Sequence, residues 1–364
     1  MCRVSSAPGP LCRSLFPVGL ILAAAAACCA GAPGPCRYTG VNLAGAEFTS
    51  NVLPGECGRR YTYPTAQEID YFAQQGMNVL RLPFRWERLQ KNLFCDLSSN
   101  ELARIDAFVS RATGRGARVI LDLHNYARYY GEREGCDPRV GGPDVPAEAL
   151  ADVWRRLAAH YEHNDRVVFG LMNEPCGLPT EQWLAAANTA LRAIRAAGAT
   201  NLVLVPGNGY SGAHSWYADY YGTPNAQVMT AVVDPASNWA FEVHQYLDKD
   251  SSGGSPDCVA TNIGSVRLER FTGWLRQHGY KGFLGEFAAG TNVVSLAALD
   301  DMLGYVDRNS DVWLGWTYWA AGPWWGPYMF SVEPAAGQNR PQMGVLTNHL
   351  YRALPPDGGP SRDR

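Results

Sequence analysis

Beyond residue 30 the chain has no apolar run approaching the ~18 residues of a membrane-crossing helix, so the remainder reads as soluble. It has no basic surplus either. The formal net charge is −3, which excludes a nucleic-acid or anionic-membrane footprint. The six cysteines after residue 30 form no C-x-x-C pair, which argues against a zinc knuckle or a thioredoxin-like centre. No H-E-x-x-H occurs, and no G-x-G-x-x-G follows the first apolar strand, so a zincin and a dinucleotide fold both lack their motif. Gly209-Tyr210-Ser211-Gly212-Ala213 misses the G-x-S-x-G nucleophile elbow at its last position, which removes a serine hydrolase. Charged residues are scarce, at 18%, whereas 11 Trp and 18 Tyr are present. Such aromatics fill cores and stack on flat apolar faces, those of sugar rings included.

The first thirty residues differ from the rest. Arg3 and Arg13 are their only charges, followed by an apolar run from Leu15 to Ala27 and small residues through Ala32. That is the grammar of a secretory signal peptide. Four cysteines lie in this leader and six remain: Cys36, Cys57, Cys95, Cys136, Cys176 and Cys258. In an exported chain this even number suggests up to three disulfides of unspecified connectivity. Lipoprotein anchoring at Cys28 is the rival, and it would leave an odd number of other cysteines. Residues 354–364 read as a frayed, disordered tail.

Between these ends, apolar β-branched and aromatic runs alternate with amphipathic helical patterns. The runs are Tyr38–Leu43, Asn78–Leu82, Arg118–Leu123, Val167–Met172, Asn201–Val205, Trp239–Val243, Gly282–Leu284 and Val312–Tyr318. Helical spacing follows a capping box at Thr65-Ala66-Gln67-Glu68 and recurs at 100–112, 147–161, 180–197, 266–278 and 296–308. The alternation predicts one domain over residues 31–353, a (β/α)8 TIM barrel of the α/β class.

A barrel of this kind gathers its active site at the C-terminal strand ends. Read in order, those ends hold Arg81, His124-Asn125, Asn173-Glu174, Gly207-Asn208, His244 with Tyr246, Glu286, and Trp319. Singly, Arg81 suits a structural ion pair and each histidine a hydrogen-bonded core residue. Together they place costly polar groups on one face, and two carboxylates with an arginine beside them fit glycoside hydrolysis. One carboxyl group would protonate the leaving oxygen while the other attacks the anomeric carbon or activates water. Asn173 would bond a sugar 2-hydroxyl. Two histidines with glutamates could imitate a zinc site, yet no further ligand pattern supports one, and no cofactor is called for.

These segments resemble glycoside hydrolase family 5, and within it the secreted endo-β-1,4-glucanases of fungi and bacteria, over roughly residues 38–332. "NVLRLPFRW" looks like the family's second strand with its arginine, Arg81, and "LDLHNYARY" its third, with His124 and Asn125. "GLMNEP" is similar to the segment around the acid/base, "FEVHQYLDKDSSGGSPDC" to the sixth strand, "GFLGEF" to the nucleophile strand and "WLGWTYWAAG" to the eighth.

The resemblance implies a retaining endoglucanase with Glu286 as nucleophile and Glu174 as acid/base, its carboxyl groups about 5–5.5 Å apart. It implies support from Arg81, Asn173, His244 and Tyr246, a sugar platform at Trp319, and hydroxyl contacts from His124 and Asn125. The expected partner is β-1,4-glucan, met outside the cell by a monomer with no membrane attachment after leader cleavage. No linker or appended binding module is recognised, so one groove would both find and cut the polymer. The nearest rival is the same machinery on mannan or xyloglucan. A rival of another class is a non-catalytic glucan-binding protein.

Overall fold

The computed structural model of the chain describes residues 36–131 and 137–352; the leader, Cys136 and the tail lie outside them. Eight parallel strands close into a barrel in sequential order. They are β1 (Tyr38–Leu43), β2 (Val79–Phe84), β3 (Arg118–Leu123), β4 (Val167–Gly170), β5 (Val203–Pro206), β6 (Trp239–His244), β7 (Gly282–Glu286) and β8 (Trp313–Ala321). Long helices cover the barrel at Ala66–Gln74, Ser99–Gly114, Ala147–Tyr161, Thr180–Ala196, Ile263–His278 and Val293–Arg308. After β5 and β8 the crossover helices shrink to Asn225–Val228 and Pro341–Leu346. The capping box forms as expected. Glu68 N–H donates to the Thr65 hydroxyl, and Thr65 N–H donates to the Glu68 carboxylate.

Strand alternation sorts the side chains into two populations. Outward residues such as Leu80, Leu82, Val119, Leu121, Phe241 and Val243 join the helices in one continuous apolar layer. Inward residues Val79, Ile120, Val168, Leu204, Ala240 and Phe283 plug the barrel's N-terminal end. The same inward rows continue upward with Arg81 on β2, Asp122 on β3 and Glu242 on β6. The barrel interior is therefore apolar below and ionic above.

No helix among the described residues is long and apolar enough to cross a membrane. Cys36, Cys57, Cys95, Cys176 and Cys258 carry free thiols. Cys36 is buried and donates to the carbonyls of Val306 and Trp313.

Candidate active site

The acidic mouth begins with a departure from regular structure. β4 stops at Gly170, and Glu174 follows with φ 45°, a left-handed backbone that costs a non-glycine residue about 1–3 kcal/mol. Two hydrogen bonds hold this turn. Asn173 N–H donates to the Leu123 carbonyl, and Tyr126 N–H donates to the Asn173 carbonyl. The turn carries Glu174 from the strand end into the mouth, where its side chain is 16% exposed.

Glu286 reaches the same mouth by a different device. The β6–β7 register pairs Val243 with Leu284 and then His244 with Glu286, skipping Gly285. Without the slip, alternation would turn Glu286 outward, towards the helices. The one-residue irregularity re-aims it inward, the usual work of a bulge beside an active site.

Arg81 organises the floor. It lies three residues into β2, one layer below the strand end, and is fully buried. Nη1 meets Glu286 Oε1 at 2.9 Å, Asn42 Oδ1 at 2.9 Å and Asp122 Oδ2 at 3.1 Å. Nη2 donates to Asn173 Oδ1 at 2.9 Å, and Nε stands 3.0 Å from Glu242 Oε1. Burial works against this charge, but Asp122, Glu242 and Glu286 outweigh it and hold the guanidinium firmly protonated.

The two histidines are in opposite states. His124 is buried, and burial drives its pKa well below the usual value, so the ring is neutral. Its Nδ1 lies 2.7 Å from Asp122, which leaves Nε2 to accept from Asn173 Nδ2 at 3.2 Å. His244 is equally buried, yet Glu286, Glu174 and Glu242 overcome the desolvation and push its pKa up to about 10. Its Nδ1 donates to Glu174 Oε1 at 2.7 Å and lies 3.6 Å from Glu286 Oε2. His244 thus binds chiefly the Glu174 carboxylate.

Tyr246 donates its hydroxyl to Glu286 Oε2 at 2.9 Å. Trp319 lies within β8, with its ring stacked near His124 at 5.6 Å and its Nε1 donating to the Tyr328 hydroxyl at 3.1 Å. Trp313 and Trp316 are core. A cavity of about 500 Å³ opens beside Glu174, walled by Tyr126, Tyr210, Tyr220, His214 and Tyr246.

Asn125 does not join this group. It is fully buried; its Oδ1 accepts from Trp86 N–H, and its Nδ2 donates to Glu87 and to the Arg128 carbonyl. Its amide braces two loops and has no atom left for a hydroxyl. Conversely, Asp122, Glu242 and Asn42 belong to the floor although they were not singled out in the sequence. The signal for the first two is the carboxylate-x-histidine repeat, Asp122-Leu123-His124 and Glu242-Val243-His244, which puts both members of each pair on one strand face.

One oxygen or nitrogen each of Glu174, His244 and Glu286 lies within 4.8 Å of the others, a spacing that could seat a metal ion. The protein itself supplies positive charge there, through Arg81 on Glu286 and the His244 imidazolium between the two carboxylates. One carboxylate oxygen of Glu174 lies within 4.8 Å of one of Glu286, so the two acids approach closely.

Comparison with known proteins agrees. The cellulase (glycosyl hydrolase family 5) family model matches residues 38–322. Endoglucanase gh5-1 of Neurospora crassa is 39% identical over 310 residues, covering 85% of this chain and 75% of its own. Endo-beta-1,4-glucanase A of Emericella nidulans is 38% identical over 320 residues, covering 87% and 93%. Among solved structures, XacCel5A in complex with cellopentaose is 50% identical with a TM-score of 0.83, covering 86% of this chain and 99% of that one.

Proposed function

The chain belongs to the cellulases of glycosyl hydrolase family 5, and from that premise we propose that Glu286 attacks the anomeric carbon while Glu174 protonates the departing oxygen. The activity is that of a retaining endo-β-1,4-glucanase working by double displacement. The bond between C1 and the glycosidic oxygen breaks as the Glu286 oxygen–C1 bond forms, and the Glu174 proton leaves with the shortened glucan. Water then attacks C1, its proton passes to Glu174, and the ester releases Glu286 as a carboxylate.

The close approach of Glu174 and Glu286 carries this reading, with two donors already on Glu286. Arg81 and Tyr246 hold the negative charge that disappears in the first step and returns in the second, without moving to do so. Trp319 offers an apolar ring to one glucose, and Asn173, oriented by Arg81, faces a sugar hydroxyl. His124 sets the Asn173 amide in turn.

That XacCel5A takes cellopentaose supports an extended β-1,4-glucan as the ligand here. In the same reading residues 1–30 direct export, residues 354–364 form a tail, and the enzyme acts outside the cell as a monomer. Proton NMR of the first product from carboxymethylcellulose tests chemistry and substrate together. A β-anomer is expected. An α-anomer overturns retention, and preferential cleavage of galactomannan or xyloglucan overturns the glucan assignment.

A further inference from the structure

The two carboxylate–histidine pairs beneath the mouth are not equivalent. Asp122 bonds its own histidine directly, at 2.7 Å. Glu242 stands 3.6 Å from His244 Nε2 and 3.0 Å from Arg81 Nε, each an ion-pair contact, with no other donor within hydrogen-bond reach among the described residues. It is 1% exposed, and its seat is built into the next strand. A Cβ on Gly285 would lie 2.2 Å from Glu242 Oε1, so the residue preceding Glu286 must be glycine for this carboxylate to fit.

We infer that Glu242 is a positioning residue of the reaction, its charge beside Arg81 Nε and His244 Nε2 aligning both reacting carboxylates from below. This rests on the roles given to Glu174 and Glu286 above. The guanidinium is a rigid fork, so the Glu242 charge 3.0 Å from Nε, an ion-pair contact without a hydrogen bond, favours the orientation in which Nη1 meets Glu286 and Nη2 meets Asn173. An imidazolium likewise has two opposed donors. With Glu242 3.6 Å from Nε2, beyond hydrogen-bond distance, its charge favours the ring orientation that points Nδ1 at Glu174.

Charge makes the same argument. His244 faces Glu174 and Glu286 across the mouth and Glu242 below, with Arg81, Asp122, His124 and Tyr246 completing the cluster. A neutral group at 242 removes one of the three anions that keep His244 protonated, so its proton leaves at lower pH. The Nδ1–Glu174 contact that orients the acid/base weakens with it.

Glu242→Gln preserves size and removes charge. Its kcat is expected to fall at least tenfold with KM within twofold, and the alkaline limb of kcat/KM to move about one unit towards acid. Glu242→Asp keeps the charge but withdraws it. It should restore the alkaline limb while kcat stays low.

A 2-deoxy-2-fluoro-β-cellobioside with a dinitrophenolate leaving group counts competent sites. Wild type labelled at a residue other than Glu286 refutes the catalytic roles and leaves the geometry of Glu242 untouched. Wild type labelled at Glu286, with Glu242→Gln matching its kcat and pH profile, overturns the inference. Full labelling with a reduced kcat but an unmoved alkaline limb also overturns it, because that outcome describes a merely structural residue. Should the glutamine variant not fold, Glu242→Asp decides alone, and a kcat within twofold of wild type overturns the inference.

Discussion

His244 donates from Nδ1 to Glu174 Oε1 across 2.7 Å, so the group proposed to deliver protons is bonded to a buried imidazolium. The pairing has a thermodynamic consequence. The folded pKa of His244, about 10, lies above its unfolded value near 6.5, so its contribution to stability is fully present below ~6.5 and is lost as pH rises through about 10. We expect His244→Asn to lower Tm by several degrees at pH 6 and much less near pH 10. Thermal melts at the two pH values check this, and an equal deficit at both would refute it.

Glu286→Ala should lower kcat on glucan by at least ~10⁴-fold, since it removes the proposed nucleophile outright. Azide is expected to enter the vacated space and return activity with an inverted, α-configured glucosyl azide. The configuration of that product by NMR is the check, and a variant with ordinary turnover would refute the role.

Glu174→Ala should behave differently according to the leaving group. On glucan the loss is expected to be about 10²–10⁴-fold in kcat, the usual worth of general acid–base catalysis. A dinitrophenyl cellobioside departs without a proton, so its first step should be nearly spared. Azide should then give a retained, β-configured product. Burst kinetics on the two substrates separate these cases, and equal losses on both would rule out an acid role.

Tyr246→Phe removes the hydroxyl that donates to Glu286 Oε2 at 2.9 Å and little else. A preorganised donor of this type is worth roughly 10²–10³ in kcat at the upper end, so we expect a ten- to hundredfold loss with KM nearly unchanged. Steady-state kinetics on a soluble glucan decide it. A rise in KM alone would make Tyr246 a substrate contact.

The barrel was legible because its strands are apolar on both faces and its helices carry a strong 3.6-residue pattern. The mouth was legible because polar residues follow those runs abruptly, as Asn173-Glu174 do after Phe169-Gly170-Leu171-Met172. What escaped lies inside the runs. Asp122 and Glu242 are the single acids of largely apolar strands, and only the closed barrel brings both against Arg81. The aim of Glu286 depends on a register slip at Gly285, which no local propensity announces. Asn125 follows His124 directly, yet its amide is captured by Trp86 and Glu87 from the neighbouring β2 loop, 39 and 38 residues earlier in the chain.

Asn125→Ala should therefore act on stability before activity. It leaves a buried Glu87 carboxylate short of a donor and Trp86 N–H without its acceptor, a loss of about 2–4 kcal/mol. Denaturant unfolding should show that deficit, with KM on glucan within about twofold. A large KM change at unaltered stability would return Asn125 to the substrate.

Glu47, on the loop after β1, gives the opposite sign of pH dependence from the one usual for a carboxylate. Burial pushes its pKa up to about 8, only partly offset by the Gly45 N–H that donates to Oε2 at 2.7 Å. The folded protein holds this group protonated, whereas the unfolded chain ionises it near 4.5. Its contribution is thus fully present below ~4.5 and is lost as pH rises through about 8, because folding must then either take up a proton or bury a charge. Glu47→Gln keeps an acceptor for Gly45 and cannot ionise. We expect the variant and wild type to melt together near pH 4.5, and the variant to gain several degrees by pH 8.5. A constant difference across that range would show that Glu47 is ionised in the folded protein and paired with Arg88, whose guanidinium already binds the carbonyls of Ala46 and Phe48 beside it.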